Sequence, residues 1–518
     1  MRKIYILITI LAVVPKLLLA QQAIDAQLQK LLIAESAIES LYVEEVDDEK
    51  LVESAIRGML EELDPHSTYL TAEEVNKSNE SLQGNFDGIG VQFNMVEDTL
   101  FIVQPLPDGP SEKIGILAGD RIVTVNDTAI AGVKMAQEEI MKRLRGPKGT
   151  TVKLGIKRQG LSELLYFNVV RDKIPVNTVD AAFMVADGIG YIKVSSFGLT
   201  TLTEFREGLN KLRAEGAKSL ILDLQGNGGG YLHAAVELSN EFLQRDQLIV
   251  YTEGRRTPRS GYKASGNGMF KNGKLVVLID EYSASASEIV SGAIQDWDRG
   301  TIVGRRSFGK GLVQRPIEFH DGSMIRLTIA QYFTPVGRCI QKPYGDDVDY
   351  AADIEKRFDA GELTNVENIH FPDSLKYKTK IKGRTVYGGG GIMPDDFVPL
   401  DTTRTNIYYR KVTAKNCVLQ TSLAYVEKNR RQLERKYKSY QSFEKEFQTD
   451  EKLLNMLKDK AKDAGVEFDE KLWAESLPIF KIQLKALIAR NLWTMNEYYH
   501  SMIELDDIIQ RAITILKE

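Results

Sequence analysis

Three short stretches hold residue types that could act on a chemical bond. The first is Asp280-Glu281-Tyr282-Ser283-Ala284-Ser285-Ala286-Ser287-Glu288, which follows an apolar run. A turn of small residues between a strand and a helix exposes a hydroxyl at the helix N-terminus. Unpaired N–H groups and the positive end of the helix dipole favour developing negative charge there, which suits a nucleophilic serine. Ser285 with Glu288 three residues on is equally a capping box. No G-x-S-x-G elbow surrounds Ser285.

The second stretch is Ser307-Phe308-Gly309-Lys310-Gly311, a lysine between glycines. A desolvated lysine has a lowered pKa, so its neutral amine can accept a serine proton. Gly-Lys-Gly is also an ordinary exposed turn, and it lacks the spacing of a phosphate-binding P-loop. The third stretch is Asp223-Leu224-Gln225-Gly226-Asn227-Gly228-Gly229-Gly230. Its backbone N–H groups could supply half of an oxyanion hole, cradle a phosphate, or simply make a tight turn. His66 in Asp64-Pro65-His66-Ser67 reads as a loop or capping residue rather than a catalytic histidine.

Several kinds of element must position these stretches. Residues 188–335 alternate strands (189–194, 219–224, 275–279, 301–303) with helices (202–212, 233–242, 288–297), the pattern of an α/β layer architecture. Paired strands are expected over 313–319 and 324–333. Residues 21–83 carry apolar positions at helical spacing up to Asp64-Pro65. Residues 84–172 read as a small β-rich domain with a helix near 135–144, and residues 401–518 as charge-rich helices with solvated faces.

The chain has 518 residues, enough for about three or four domains, and 43% hydrophobic with 27% charged residues is ordinary for a globular protein. A net charge of -5 leaves no basic excess to neutralise phosphates, so nucleic acid is not an expected partner. Residues 1–20, Met1-Arg2-Lys3 followed by an apolar run ending at Ala20, read as a secretory signal, with an uncleaved N-terminal anchor as the alternative. Two cysteines, Cys339 and Cys417, are too few for a disulfide scaffold. With no CxxC or HExxH, no metal and no cofactor are expected.

Taken in order, these motifs resemble the carboxyl-terminal processing peptidases, or tail-specific proteases, over residues 36–397. The resemblance rests on Leu63-Asp64-Pro65-His66-Ser67, Gly88-Ile89-Gly90-Val91, Ala118-Gly119-Asp120-Arg121-Ile122, Gly190-Tyr191-Ile192, the Asp223–Gly230 loop and Ser283 to Ile289. It continues through Gly304 and Ser307 to Gln314, Thr334-Pro335 with Gly337-Arg338, and Gly391-Ile392-Met393-Pro394-Asp395. It implies a multidomain α/β protein: an N-terminal helical region (21–83), an inserted PDZ domain (84–172), a crotonase-like serine protease core (173–400) and a C-terminal helical region (401–518).

In that family pattern Ser285 matches the nucleophile and Lys310, 310 − 285 = 25 positions later, the general base. Gln314 matches a residue that holds the lysine. Gly229, or its neighbour Gly228, and the Ala286 N–H match the oxyanion hole. Asp296 falls where a relay acid is sometimes assigned, and is read here as structural. Gly88, Ile89, Gly90, Val91 and Phe93 match the PDZ site for a peptide tail.

The implied activity is an exported serine endopeptidase of the bacterial periplasm or envelope, acting near protein C-termini. The implied partners are substrates with free C-terminal tails, a further copy of the chain through the helical termini, and an adaptor lipoprotein. Two departures stand out: Gln225 replaces the usual arginine, and residues 340–390, including Tyr344-Gly345-Asp346-Asp347, are longer than in compact members, as a lid or insertion. The competing readings are a non-catalytic PDZ scaffold, against which both Ser285 and Lys310 argue, and a crotonase-like acyl-transfer enzyme, against which the PDZ module and leader argue.

Overall fold

The computed structural model describes residues 26–96, 98–345 and 348–518. The leader reading over residues 1–20, and Asp346-Asp347 of the long segment, lie outside these. The chain forms two compact units, one comprising residues up to Thr71 with Pro316–Leu327, the other Ala72–Arg315 with Thr328–Glu518.

In the smaller unit, α1 (Ala26–Leu41) precedes α2 (Asp48–Glu61), whose N-cap Asp47 accepts from the Lys50 N–H. The periodic apolar residues of α1 do make a helix, but none of them is buried. Asp64 accepts from the N–H groups of His66 (2.9 Å) and Ser67 (3.1 Å), so Asp64-Pro65-His66-Ser67 is a turn built on its aspartate. β1 (Thr68–Leu70) then pairs antiparallel with Met324–Arg326.

The larger unit opens with α3 (Ala72–Gln83) and β2 (Asn85–Gly88). An antiparallel sheet follows, in the order β3 (Val91–Val96), β4 (Thr99–Pro105), β5 (Arg121–Val125), β6 (Thr151–Lys157) and β7 (Leu165–Val170), with α4 (Gln137–Leu144) set before β6. Leu100, Ile102, Ile122, Val152, Leu154 and Ile156 enclose a core that Ile140 and Leu144 of α4 complete. β3 lies at the edge of this sheet, and β8 (Asp172–Pro175) pairs with β2 on leaving it.

The second sheet positions the chemistry. Its order is β9 (Val179–Ala186), β10 (Ile189–Val194), β11 (Ser219–Asp223), β13 (Leu275–Ile279), β14 (Thr301–Gly304) and β17 (Asp396–Phe397); the first pair is antiparallel and the others parallel. The inner strands are apolar on consecutive residues because both faces are covered. On one face α5 (Thr201–Ala214), α6 (Leu232–Asn240) and α7 (Ala286–Asp296) bring Phe205, Leu209, Leu238, Val290 and Ile294 against Ile192, Leu220, Leu222, Val277 and Ile279. β12 (Leu248–Glu253) pairs with the end of β16 (Met324–Phe333), which follows β15 (Leu312–Glu318).

Beyond α8 (Asp353–Asp359) the chain ends in helices α9 (Ile407–Ala414), α10 (Cys417–Lys436), α11 (Tyr440–Glu446), α12 (Glu451–Asp463), α13 (Glu470–Leu492), α14 (Met495–Met502) and α15 (Asp507–Lys517). Helices α9 to α13 share a core of their own around Phe443, Leu453, Trp473 and Phe480. Helix α15 belongs to the protease sheet instead: its Ile508, Ile509, Ala512, Ile513 and Leu516 cover Tyr191, Ile221, Val276, Leu278 and Val303 on the second face. Cys339 and Cys417 are separate free thiols.

Removing the buried bulk of α15 therefore removes core, not decoration. Ile509→Ala is expected to lower the unfolding free energy by about 2–5 kcal/mol, measured as a shifted denaturant midpoint at constant m-value.

Candidate active site

The motif loops all leave the carboxyl ends of parallel strands, where open α/β sheets gather their sites. The Asp223–Gly230 loop follows β11, the serine loop follows β13, and the lysine loop follows β14.

The serine loop is cross-tied to the glycine loop. The Asp280 carboxylate accepts from the N–H groups of Gly226 (2.9 Å), Tyr282 (3.1 Å) and Ser283 (3.0 Å). The Ser283 hydroxyl donates to the Leu224 carbonyl (2.8 Å) and that of Ser287 to the Asn227 carbonyl (2.8 Å). Both outer serines are thus fully buried with their protons committed, and Ser285, between them, stays half-buried. Its backbone, at φ 55 and ψ -111, sits in a region that non-glycine residues enter at a cost of about 1–3 kcal/mol. Helix α7 begins at the next residue.

Glu288 joins serine and lysine. One carboxylate oxygen, Oε2, accepts from the N–H of Ser285 (2.7 Å) and the N–H of Lys310 (2.9 Å). The other, Oε1, accepts from the Ser307 hydroxyl (2.6 Å) and the Gly309 N–H (2.7 Å). The Ser307 oxygen in turn accepts from the Ile392 N–H (2.6 Å). The capping-box spacing was one visible sign of Glu288; its hold on the lysine loop had no sequence signal. Tyr332 was also missed: its hydroxyl lies 2.5 Å from the Lys310 carbonyl and 3.1 Å from that of Ser285. Lys310 is half-buried and its Nζ donates to Gln314 Oε1 at 3.4 Å.

Burial pushes the Glu288 carboxyl up to about 7, and its four donors pull the other way. Four donors and no acceptor around one carboxyl match the ionised form, since a protonated oxygen would face an N–H or O–H.

The glycine loop closes on the serine. A Cβ added at Gly229, which has φ +105, would lie 2.8 Å from the Ser285 Cβ and 3.0 Å from the Ala286 nitrogen. The Gly229 N–H is held by Asn227 Oδ1 (2.9 Å). Among the described residues, the Gly228 and Ala286 N–H groups donate to no protein acceptor. Gln225 donates from Nε2 to Asp506 of the C-terminal helices (3.1 Å). The cation beside Asp223 is Lys193 (3.2 Å), which also donates to the Gln225 carbonyl.

Asp296 does not join Ser285 and Lys310. It ends α7, about 15 Å along the axis from its start. Its fully buried carboxylate pairs with Arg338 at 2.6 Å and accepts from the Val336 N–H at 3.0 Å. In the β-rich body, the Ile89 and Gly90 N–H groups donate to no protein acceptor among the described residues. Gly90 has φ +70, and a Cβ there would meet Pro110 and Ile174 at about 3 Å. Val91 and Phe93 pack at the margin of the local core on edge strand β3.

Comparisons with known proteins agree with this layout. Residues 188–352 match peptidase family S41, residues 88–169 a PDZ domain, residues 15–74 the activating protease CtpB N-terminal domain, and residues 408–494 a family of unknown function. The carboxy-terminal processing protease CtpA of Bacillus subtilis is 35% identical over 66% of this chain and 75% of its own length. A carboxy-terminal-processing protease of Bartonella bacilliformis is 38% identical over 58% and 69%, and CtpB of Bacillus subtilis 36% over 62% and 67%. The fold and site define a serine-type peptidase carrying a PDZ domain. The chain belongs to the carboxy-terminal processing protease family, peptidase family S41.

Glu288→Gln would turn an amide N–H₂ toward at least one of the four donors. It is expected to lower kcat about 10²-fold, the scale of a small misplacement of reacting groups. Wild-type activity should also rise as pH passes about 7, when Glu288 ionises. The stability term has the opposite sign. The folded pKa lies above the unfolded value of 4.5, so this term is lost as pH climbs from about 4.5 to about 7. Paired pH profiles of kcat and of the unfolding midpoint check both signs.

Proposed function

We propose that this protein is an exported endopeptidase that cleaves proteins near their C-termini by a Ser285–Lys310 dyad. The observation that carries the reading is the shared Glu288 oxygen, which fixes the backbones of serine and lysine against each other. In this mechanism the neutral Lys310 amine takes the Ser285 proton as Oγ attacks the scissile carbonyl. Gln314 orients the amine. The Ala286 N–H and the Gly228-Gly229 turn stabilise the oxyanion, the amine product leaves with the proton from Lys310, and water then hydrolyses the acyl-enzyme with Lys310 again as base. The half-buried state of Ser285 between two committed serines supports its choice as nucleophile.

The same reading makes residues 84–172 a PDZ domain that captures a substrate's terminal carboxylate on the Ile89 and Gly90 N–H groups, with the tail added as a strand to β3. The core over 173–400 is read as crotonase-like. Residues 1–20 are read as an export signal into the envelope, in keeping with bacterial relatives. Association through the helical termini and an adaptor lipoprotein belong to the same proposal.

Ser285→Ala is expected to lose on the order of 10⁶ in kcat with its fold intact. Lys310→Arg should be equally inactive, because arginine stays protonated. Peptide hydrolysis by the purified variants, with circular dichroism as the folding control, decides it; an active Lys310→Arg enzyme removes the dyad.

Tail capture has its own test. Peptides matched except for a free or an amidated C-terminus should differ in kcat/KM, with the free acid faster. Equal rates in the full enzyme would remove the PDZ from substrate choice and leave the dyad untouched.

A further inference from the structure

The long segment between Ile340 and Gly391 is not spread over the surface. Its first residues and α8 run beneath the lysine loop. The Lys342 N–H donates to the Gly309 carbonyl (2.9 Å), and Gln341 Oε1 accepts from the Gly311 N–H (2.8 Å), so both glycines flanking Lys310 are held from this segment. The side chain of Lys342 is only 4% exposed. Its Nζ lies 3.8 Å from the ring centre of Phe308 and 4.1 Å from that of Tyr350, and pairs with Asp353 of α8 at 3.0 Å. Phe308 is itself pinned to the serine loop, its N–H donating to the Ser283 carbonyl (3.0 Å). One turn further along α8, Arg357, also 4% exposed, donates to the carbonyls of Arg306 (2.7 Å) and Ser307 (3.2 Å).

Burying a lysine and an arginine costs free energy unless each is paired and bonded. Here the cation–π walls and the carboxylates of Asp353 and Glu362 offset that cost. Every bond these two cations make to backbone or aromatic ring falls on residues 306–308 or on the segment itself. Burial lowers the pKa of Lys342, and Asp353 opposes the shift. An apolar side chain could fill the space, but it would not tie Phe308 to α8.

We propose that residues 341–345 and 348–362 form a brace that sets the backbone on which Lys310 stands, with Lys342 and Arg357 as positioning residues of the peptidase reaction. The brace rests on the Ser285–Lys310 reading. For the long segment, whose sequence reads as a lid or an insertion, the brace is a supporting role.

The test uses the full chain and a peptide with a free C-terminus. Lys342→Met keeps the length of the side chain and loses the charge. It is expected to remain folded, with kcat reduced about 10–100-fold and KM unchanged. Lys342→Arg, which can stack and pair in the same slot, should restore most of kcat. Tyr350→Leu, which opens one half-buried wall, should lower kcat several-fold and serves if Lys342→Met does not fold. A folded Lys342→Met, or failing that a folded Tyr350→Leu, with kcat within twofold of wild type overturns the brace. An active Lys310→Arg enzyme overturns instead the dyad beneath it.

Discussion

A single buried carboxylate organises this candidate active site. Glu288 stands on the first turn of α7 and reaches back to the N–H of Ser285 and across to the lysine loop, where it takes three further donors. A carboxylate in that position meets two demands at once. It satisfies N–H groups that the end of a helix and a glycine-flanked turn would otherwise leave without acceptors. It also fixes the distance between two loops that come from different strands and have no covalent reason to be close. The backbone strain at Ser285 is held by the same arrangement, because Asp280, Asn227 and the Ser283 and Ser287 hydroxyls leave the loop no relaxed alternative.

Around that centre, the supports come from parts of the chain far apart in sequence. Tyr332 of β16 reaches the carbonyl of Lys310, and Asp506 at the start of α15 takes the side chain of Gln225. The second face of the sheet is closed by α15, the final helix of the chain. Lys193 supplies the cation beside Asp223, and Gln225 supplies a neutral link to the C-terminal helices.

The C-terminal helices also touch the PDZ domain. Arg121 of β5 forms a two-pronged pair with Glu427 of α10 at 2.7 and 3.1 Å, and Phe101 and Val103 of β4 pack on Leu423. Lys142 of α4 and Arg145, just past its end, pair with Glu73 and Glu80 of α3. The exposed Lys142–Glu73 pair is worth little. The apolar contact at Leu423 and the partly buried Arg121–Glu427 pair therefore carry more of the attachment. The edge strand β3, by contrast, keeps its outer side unpaired among the described residues.

Local pattern was enough for much of this. The strands at 189–194, 219–223, 275–279 and 301–304 follow from short β-rich apolar runs, and the helices between them from 3.6-residue spacing, because both signals are local. Ser285, Lys310 and the glycine loop were visible as an ordered set of motifs, and Asp64-Pro65 as the end of a helix, since turn and cap chemistry acts over three or four residues. What the sequence could not decide was which buried polar group meets which. The spacing marked Glu288 as a cap but not as the tie to Lys310, which lies 22 positions on; only folding brings β13 and β14 side by side. The apolar spacing of α1 fits a buried helix, yet none of its residues is buried, whereas α15 covers the protease sheet. Amphipathic periodicity states that a face wants cover; the partner is set by long-range packing, which the tertiary structure alone supplies.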